Sequence, residues 1–88
     1  MRIEVPDRIK KAIDLHVLQG QTCGGFVTAV LKNDLMEAVT RADAENIHKL
    51  RDIIGYLYNY CPGPCWGSPE KLKAWKEKGG DPDWTFEQ

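Results

Sequence analysis

The stretch DAENIHKLRDIIGYLYNYCP, residues 43–62, has the pattern of one long helix with defined ends. Asp43 suits the N-cap position, and Pro62 ends the helix because proline lacks a backbone N–H and restricts the residue before it. Between them, apolar residues alternate steps of three and four, which predicts a seam that packs against another helix. The seam holds Ile47, Leu50, Ile54, Leu57 and Cys61, and a second stripe beside it holds Ile53, Tyr56 and Tyr60.

Two further helices are expected before this one. The first begins at Pro6, carries Asp7 at the positive end of its dipole and stops at Gly20. The second follows a glycine turn, residues 21–25, and continues to Ala42. Its apolar side chains occupy more than one stripe, which predicts a helix that is central or covered by a second subunit.

A short helix follows the stiff loop CPGPCWG, residues 61–67. Ser68 suits its N-cap and Pro69 its first turn, while two glycines end it at Gly80. Two aromatic residues in the tail, residues 81–88, suggest that the tail docks on the body or on a neighbour. We therefore predict an all-α fold, a compact bundle of three main helices plus a short C-terminal helix, in one domain over residues 1–80.

Composition limits the function classes. The 88 residues carry 12 Lys and Arg against 13 Asp and Glu, a formal net charge of -1. Proteins that bind nucleic acid usually carry a basic excess, so this balance disfavours DNA and RNA as partners. A chain this short buries a small core, and we expect homo-oligomer formation to help stabilise it.

Neither a secretory signal nor a membrane span is expected. The first residues lack the apolar run of a signal, and no stretch approaches the ~20 apolar residues that cross a bilayer. The sequence therefore predicts a cytoplasmic protein with no membrane partner and with reduced thiols.

The cysteines suggest a metal or redox site only weakly. Cys61 and Cys65 have CxxxC spacing, whereas a structural zinc needs four ligands and the remaining candidates, Cys23, His16 and His48, are scattered. A redox pair usually has CxxC spacing at a helix N-terminus. We interpret the thiols as small hydrophobic side chains, and we predict neither metal nor cofactor.

Catalysis and DNA binding are not expected either. A Cys/His hydrolase needs a nucleophile, a base and an orienting group that converge, and nothing in the spacing indicates this. A helix-turn-helix reader needs a basic and polar recognition face. The second helix instead offers a mixture that includes two acids: Lys32, Asn33, Asp34, Glu37 and Arg41.

The turn Thr22-Cys23-Gly24-Gly25 is a candidate anion site. A helix N-terminus presents unpaired N–H groups, and glycines let a phosphate approach the backbone closely. Lys32 lies about two turns further along and faces either a ligand or water. The turn matches neither a P-loop nor GxGxxG, and a tight helix–helix turn would also explain its glycines.

The loop around Trp66 is the second unusual element. Prolines on both sides and Gly67 can fix the orientation of the indole, and a fixed indole can stack on a nucleobase. Ser68 begins another helix, and Tyr56 and Tyr60 could flank the same site. The alternative is that Trp66 simply fills the small core.

Several segments together resemble a known group. They are TCGGF (22–26), VLKNDL (30–35), Ala42-Asp43 and CWGSPEK (65–71). The chain resembles small hypothetical proteins of bacteriophages and prophages, which share TGGF, VLxNDL, a helix ending in YNxxP, and CWGSPEKxxAW. The resemblance runs from about Pro6 to Gly80. The departures are Cys23 before the glycines, His16 at an expected aromatic position, and the tail.

This resemblance implies an anti-defence role. Small phage proteins include oligomeric sponges, which sequester cyclic oligonucleotides or cyclic ADP-ribose-like immune signals without catalysis and would act in the host-cell cytoplasm. A sponge needs a phosphate cradle, an aromatic platform and a subunit interface. We expect such a pocket to include Trp66 and the glycine turn and to be completed by a second subunit.

The expected partner is therefore a small phosphate-containing ligand. Trp66 would stack on its base, His16 would complete the wall with the tyrosines, and Lys32 or Arg51 would neutralise phosphate charge. The alternative function is a protein-interaction module that inhibits a host protein, with an exposed apolar or acidic patch and no concave pocket. The predicted ligand-binding residues are Thr22, Gly24, Gly25, Trp66, Ser68, Tyr56, Tyr60, His16, Lys32 and Arg51.

Overall fold

The computed structural model describes residues 3–21 and 24–84, and within these ranges the chain is helical with no β-strand. The all-α prediction is confirmed. The helices are α1 (Asp7–Gln19), α2 (Gly25–Leu31), α3 (Leu35–Arg41), α4 (Ala44–Tyr60) and α5 (Pro69–Lys78), with a short 3-10 turn at Gly63–Cys65. None of the helices in the described part of the chain is long and apolar enough to cross a bilayer.

Helix α2 lies at the centre of the core. Its buried residues are Phe26, Val27, Ala29, Val30 and Leu31. A helix that is apolar around most of its circumference must be covered on several sides. The other helices supply that cover through residues such as Ile13 and Val17 of α1, Ile53 and Leu57 of α4, and Leu72 and Trp75 of α5.

The predicted second helix is wrong as a single element, because the chain breaks between α2 and α3. Asn33 adopts a left-handed conformation with φ 62°, which asparagine tolerates better than most residues. Asp34 then caps α3, since its side chain accepts a hydrogen bond from the Glu37 N–H at 3.2 Å. The three expected main helices therefore become four, two of which have only seven residues.

Helix α4 has its predicted ends but a different buried face. Asp43 caps it by accepting a 2.7 Å bond from the Asn46 N–H, and the helix ends at Tyr60. Ile53 and Leu57 are fully buried, whereas Ile47 and Ile54 are 39% and 38% exposed. The part of the predicted seam that Ile47 and Ile54 form therefore borders solvent.

The C-terminal ends of α1 and α5 meet at a contact between two glycines, the Gly20–Gly80 contact. Both glycines have positive φ, 72° and 82°. A Cβ on Gly80 would lie 2.5 Å from the Gln19 nitrogen, and one on Gly20 would lie 3.1 Å from the Gly79 carbonyl carbon. The two backbones therefore approach closer than any side chain would allow.

Hydrogen bonds from α5 and its flank complete the end of α1. The Trp75 indole N–H donates to the carbonyls of His16 at 3.0 Å and Val17 at 3.2 Å. The Asp81 N–H donates to the Val17 carbonyl at 2.8 Å. Carbonyls in the last turn of a helix often lack partners within the helix, and these donors supply them for Val17, while the His16 carbonyl also accepts from the Gly20 N–H at 2.8 Å.

The start of the expected tail packs on the body. Trp84 is partly buried against the core, and its indole N–H donates to the Tyr60 carbonyl at 3.1 Å. The expectation of docking therefore holds for Trp84, whereas Phe86 lies outside the described residues. The division into a domain over 1–80 and a tail over 81–88 stays a prediction.

Candidate functional site

The glycine turn places Gly24 and Gly25 at the start of α2 for two different reasons. Gly24 has φ 84° and open space around the position of a Cβ. A Cβ on Gly25 would lie 2.7 Å from Nη1 and 2.8 Å from Cδ of Arg41. Gly24 therefore provides the backbone conformation, while Gly25 lets the Arg41 side chain lie across the backbone of α2.

A cleft of about 580 Å³ opens beside this turn. We call it the glycine–arginine cleft. It brings together residues of α1, the turn, α2, the end of α3 and the start of α4, including Arg8, Ile9, Gly24, Gly25, Phe26, Arg41, Asp43 and Asn46. A smaller hollow of about 270 Å³ shares Gly24, Gly25 and Arg41 with it and adds Thr28, Lys32 and Glu37.

Two guanidinium groups border the cleft, and each has an exposed carboxylate partner. Arg8 pairs with Asp43, and Arg41 Nε lies 2.6 Å from Glu37 Oε2. The Asn46 N–H and then Arg8 lower the pKa of Asp43, while Glu37 raises the pKa of Arg41. The arginine side chains remain 64% and 56% exposed, and exposed ion pairs of this kind contribute little in water. A more highly charged anion can therefore compete with the carboxylates for both groups.

Asn46 is the buried polar residue of the cleft. It is only 5% exposed, and its Oδ1 is buried with no hydrogen-bond partner. Most buried polar atoms in proteins are paired, so an unpaired one needs an explanation. Sequence reasoning missed Asn46, Arg8 and Arg41 as site residues, although Arg41 was noted as part of a mixed polar face.

Of the predicted site residues, the structure brings Gly24, Gly25 and Lys32 together around these two hollows. Thr22 lies outside the described residues. Arg51 is exposed on α4 and is not among the described residues that border either hollow. The arginines that border the cleft are instead Arg8 and Arg41.

The Trp66 loop lies at the opposite end of α2 from the glycine turn. The Gly67 N–H donates to the carbonyl of Leu31, the last residue of α2, at 2.8 Å. Trp66 is half-buried against the core and does not border the glycine–arginine cleft. Among the described residues of one chain, Trp66 therefore lies apart from Gly24 and Gly25, at the other end of α2. Ser68 caps α5 as predicted, accepting from the Lys71 N–H at 3.1 Å.

His16 is a core residue, and its predicted role in a ligand wall is contradicted by its burial. It is fully buried, and its Nε2 lies 2.8 Å from the Cys65 carbonyl, to which it donates. Burial lowers the pKa of the imidazole, the carbonyl opposes that shift, and Lys76 adds to it. The neutral ring links α1 to the loop before α5.

The tyrosines also belong to the packed body. Tyr56 is 2% exposed, and its hydroxyl donates to Asp14, which also pairs with Lys10 at 2.8 Å. Burial and Asp14 raise the pKa of Tyr56. The Tyr60 ring lies 5.7 Å from the Tyr56 ring, centroid to centroid. Neither tyrosine borders the glycine–arginine cleft, so their predicted place beside a ligand is not supported there.

The thiols of Cys61 and Cys65 are not bonded to each other, and both have raised pKa values. Burial raises the pKa of the fully buried Cys65 to about 12, and burial together with Cys65 raises that of Cys61. A protonated thiol is a poor nucleophile and a poor metal ligand. No cluster of three or more His, Cys, Asp or Glu suited to a metal ion occurs within residues 3–21 and 24–84.

Comparison with known proteins adds no relative. No family model matches the chain, and neither a curated protein nor a solved structure matches it.

Proposed function

We propose that this chain binds a small phosphate-containing molecule in the glycine–arginine cleft and holds it without chemical change. The observation that carries the proposal is that Arg8 and Arg41 both border one cleft beside the glycine turn. Guanidinium groups bind phosphate through paired, charge-assisted hydrogen bonds. Gly24 leaves the backbone at the start of α2 uncovered by any side chain of its own.

The size and lining of the cleft suit a nucleotide-sized ligand. Its volume, about 580 Å³, lies within the range of ~300–1,000 Å³ that small-molecule sites occupy. The cleft is also lined by Ile9, Phe26 and Val27, which give it an apolar surface in addition to the charged arginines. A ligand with a charged group and a flat apolar ring would use both.

Binding without catalysis is supported by the state of Cys65 and His16. The Cys65 thiol is buried and protonated, and His16 is engaged with a backbone carbonyl. Neither borders the cleft. The resemblance to phage proteins then suggests the role: sequestration of a nucleotide-derived immune signal, a cyclic oligonucleotide or a cyclic ADP-ribose-like molecule, in the cytoplasm of the host.

A second candidate function is a protein-interaction module, and an exposed apolar surface favours it. Leu35 and Met36 of α3 are 68% and 79% exposed. Leu35 and Ile54 border a shallow groove between α3 and α4. We define the α3–α4 apolar face as Leu35, Met36, Val39, Ile47 and Ile54. It would serve either a second copy of this chain, as the oligomer proposal requires, or a host protein.

A depletion assay tests the binding function. The protein is incubated with cyclic di- and trinucleotides and ADP-ribose derivatives, the free ligand is measured, and bound ligand is recovered by heating. We expect one class to disappear and return intact. The double variant Arg8→Ala, Arg41→Ala should abolish depletion, whereas Arg51→Ala, which removes an exposed arginine outside the cleft, should leave it unchanged.

The other outcomes of the assay identify the alternatives. A ligand recovered in altered form would indicate an enzyme. If no member of the panel is depleted, the binding proposal fails and the interaction module becomes the leading function. In that case Leu35→Lys combined with Met36→Lys should break the interaction while leaving the fold intact, because both side chains already face water.

A further inference from the structure

The binding of an anion to the cleft would not explain the unpaired side-chain oxygen of Asn46. Its Oδ1 is an acceptor without a partner in a side chain that is 5% exposed, and the residue borders the same cleft as Arg8 and Arg41. Two arginines provide all the donors a phosphate needs. An acceptor adds nothing for a phosphodiester, since its free oxygens are themselves acceptors and carry no proton.

Neighbouring residues hold the backbone of Asn46 in place. The Asn46 N–H is bonded to Asp43 Oδ1 in the first turn of α4, and Asp43 also pairs with Arg8. Through Asp43, the backbone of Asn46 is thus linked to Arg8, one of the two cations that would neutralise the ligand. Asn46 and Arg8 border the same cleft, so a ligand held there by Arg8 lies beside Asn46.

We propose that Asn46 determines specificity by accepting a hydrogen bond from an N–H or O–H group of the ligand that the arginines hold. The ligand class is a nucleotide that presents such a donor beside its phosphate, either the amino group of the base or the ribose 2′-hydroxyl. This inference rests on the proposed binding function. A ligand without the donor leaves a buried acceptor unpaired, which is the kind of mismatch that binding sites reject most strongly.

The test uses four probes of the intact chain: inorganic phosphate, AMP, 2′-deoxy-AMP and purine riboside 5′-monophosphate. The two analogues each lose one donor, the ribose 2′-hydroxyl or the base amino group. Titrations are followed by NMR through the Nε–H signals of Arg8 and Arg41 and the side-chain amide of Asn46. We expect AMP to bind more tightly than phosphate, and one analogue to bind roughly tenfold more weakly than AMP.

The variant Asn46→Leu tests whether the discrimination belongs to this residue. It should bind AMP and both analogues alike, because no acceptor remains. Asn46→Asp keeps an acceptor and should keep the ratio between AMP and the weaker analogue, although the added charge lowers every affinity.

Failure of this inference can be told from failure of the binding function. If phosphate and AMP shift the arginine signals while AMP and both analogues bind equally to the natural chain, the role of Asn46 is wrong and the anion site stands. If the discrimination persists in Asn46→Leu, another residue makes it. If neither phosphate nor AMP shifts any signal of the cleft, both proposals fall.

Discussion

Two pairs of glycines lie at helix ends in this protein, and their surroundings are opposite. At the Gly20–Gly80 contact, a Cβ on Gly80 would meet backbone atoms at 2.5–2.6 Å. At the glycine turn, a Cβ on Gly24 would meet nothing within 4 Å, and one on Gly25 would meet only the Arg41 side chain. The first pair is required by the packing of two backbones, and the second borders an open cleft with cations.

The difference teaches that a glycine pair in a sequence indicates a stretch of backbone that no side chain covers. The pair does not indicate which group packs against that backbone. At Gly80 the approaching group is another part of the same chain. At Gly25 it is a flexible arginine, which can move aside for a ligand or hold one. Substitutions should therefore separate the two pairs, since we expect the first pair to govern stability and the second to govern the proposed binding.

The largest expected effect is at the Gly20–Gly80 contact. Gly80→Ala should lower the free energy of unfolding by about 3 kcal/mol, because the new Cβ clashes with backbone and the residue has φ 82°. Urea denaturation measures this change.

Gly79→Ala is the matched control for Gly80→Ala. It has a similar φ of 85° but open space around its Cβ, so we expect a loss of only about 1–2 kcal/mol. Equal losses in the two variants would mean that backbone conformation, and not the close contact, makes Gly80 necessary.

A smaller effect on stability is expected when the pH is lowered. It comes from His16, which lies four residues before Gly20 of the Gly20–Gly80 contact. Burial lowers the pKa of His16 in the folded chain, so the unfolded chain, with a pKa near 6.5, takes up the proton first. The contribution of His16 to the free energy of unfolding should therefore be constant above the unfolded pKa and fall as pH decreases from it toward the folded pKa.

Denaturation curves between pH 5 and 7 check this dependence. His16→Gln should be less stable at pH 7 and should lose the slope in this range, whereas His48→Gln, at an exposed position of α4, should keep it. A slope that survives in His16→Gln would assign the dependence to another group.

The smallest effect on stability is expected at Gly24 and Gly25 of the glycine turn. Gly25→Ala should change the free energy of unfolding by no more than about 0.5 kcal/mol, because the Arg41 side chain can shift. The same shift removes Arg41 from its place across α2, so phosphate affinity should fall roughly tenfold. The NMR titration with inorganic phosphate measures the affinity, and a large loss of stability without a change in affinity would reverse the assignment of the two pairs.

Local signals in the sequence predicted most helix ends. Asp43, Pro62 and Ser68 act through neighbours within four residues, so their roles follow from short segments alone. The break at Asn33 was missed because the apolar residues on both sides continue the pattern of one helix. The Asn-Asp pair is the signal that could have revealed it, since one residue tolerates a left-handed turn and the other caps the next helix.

The site was less predictable than the fold, for a physical reason. The glycine turn is a local feature and could be identified as a helix N-terminus. Arg8, Arg41 and Asn46 belong to three different helices, and only tertiary packing brings them to one cleft. Trp66 was expected beside the turn, but the bond from the Gly67 N–H to Leu31 fixes its loop at the other end of α2.

The closure of α1 by α5 has a consequence for how the protein is made. The Val17 carbonyl takes its hydrogen bonds from Trp75 and Asp81, more than fifty residues later in the chain. At a synthesis rate of about 5–20 residues per second, α1 therefore waits on the order of 3–13 s on the ribosome before its last turn can be completed. During that interval the Val17 carbonyl lacks both of these partners, so slowing translation between Gly20 and Asp81 should lengthen the time for which the end of α1 stays incomplete.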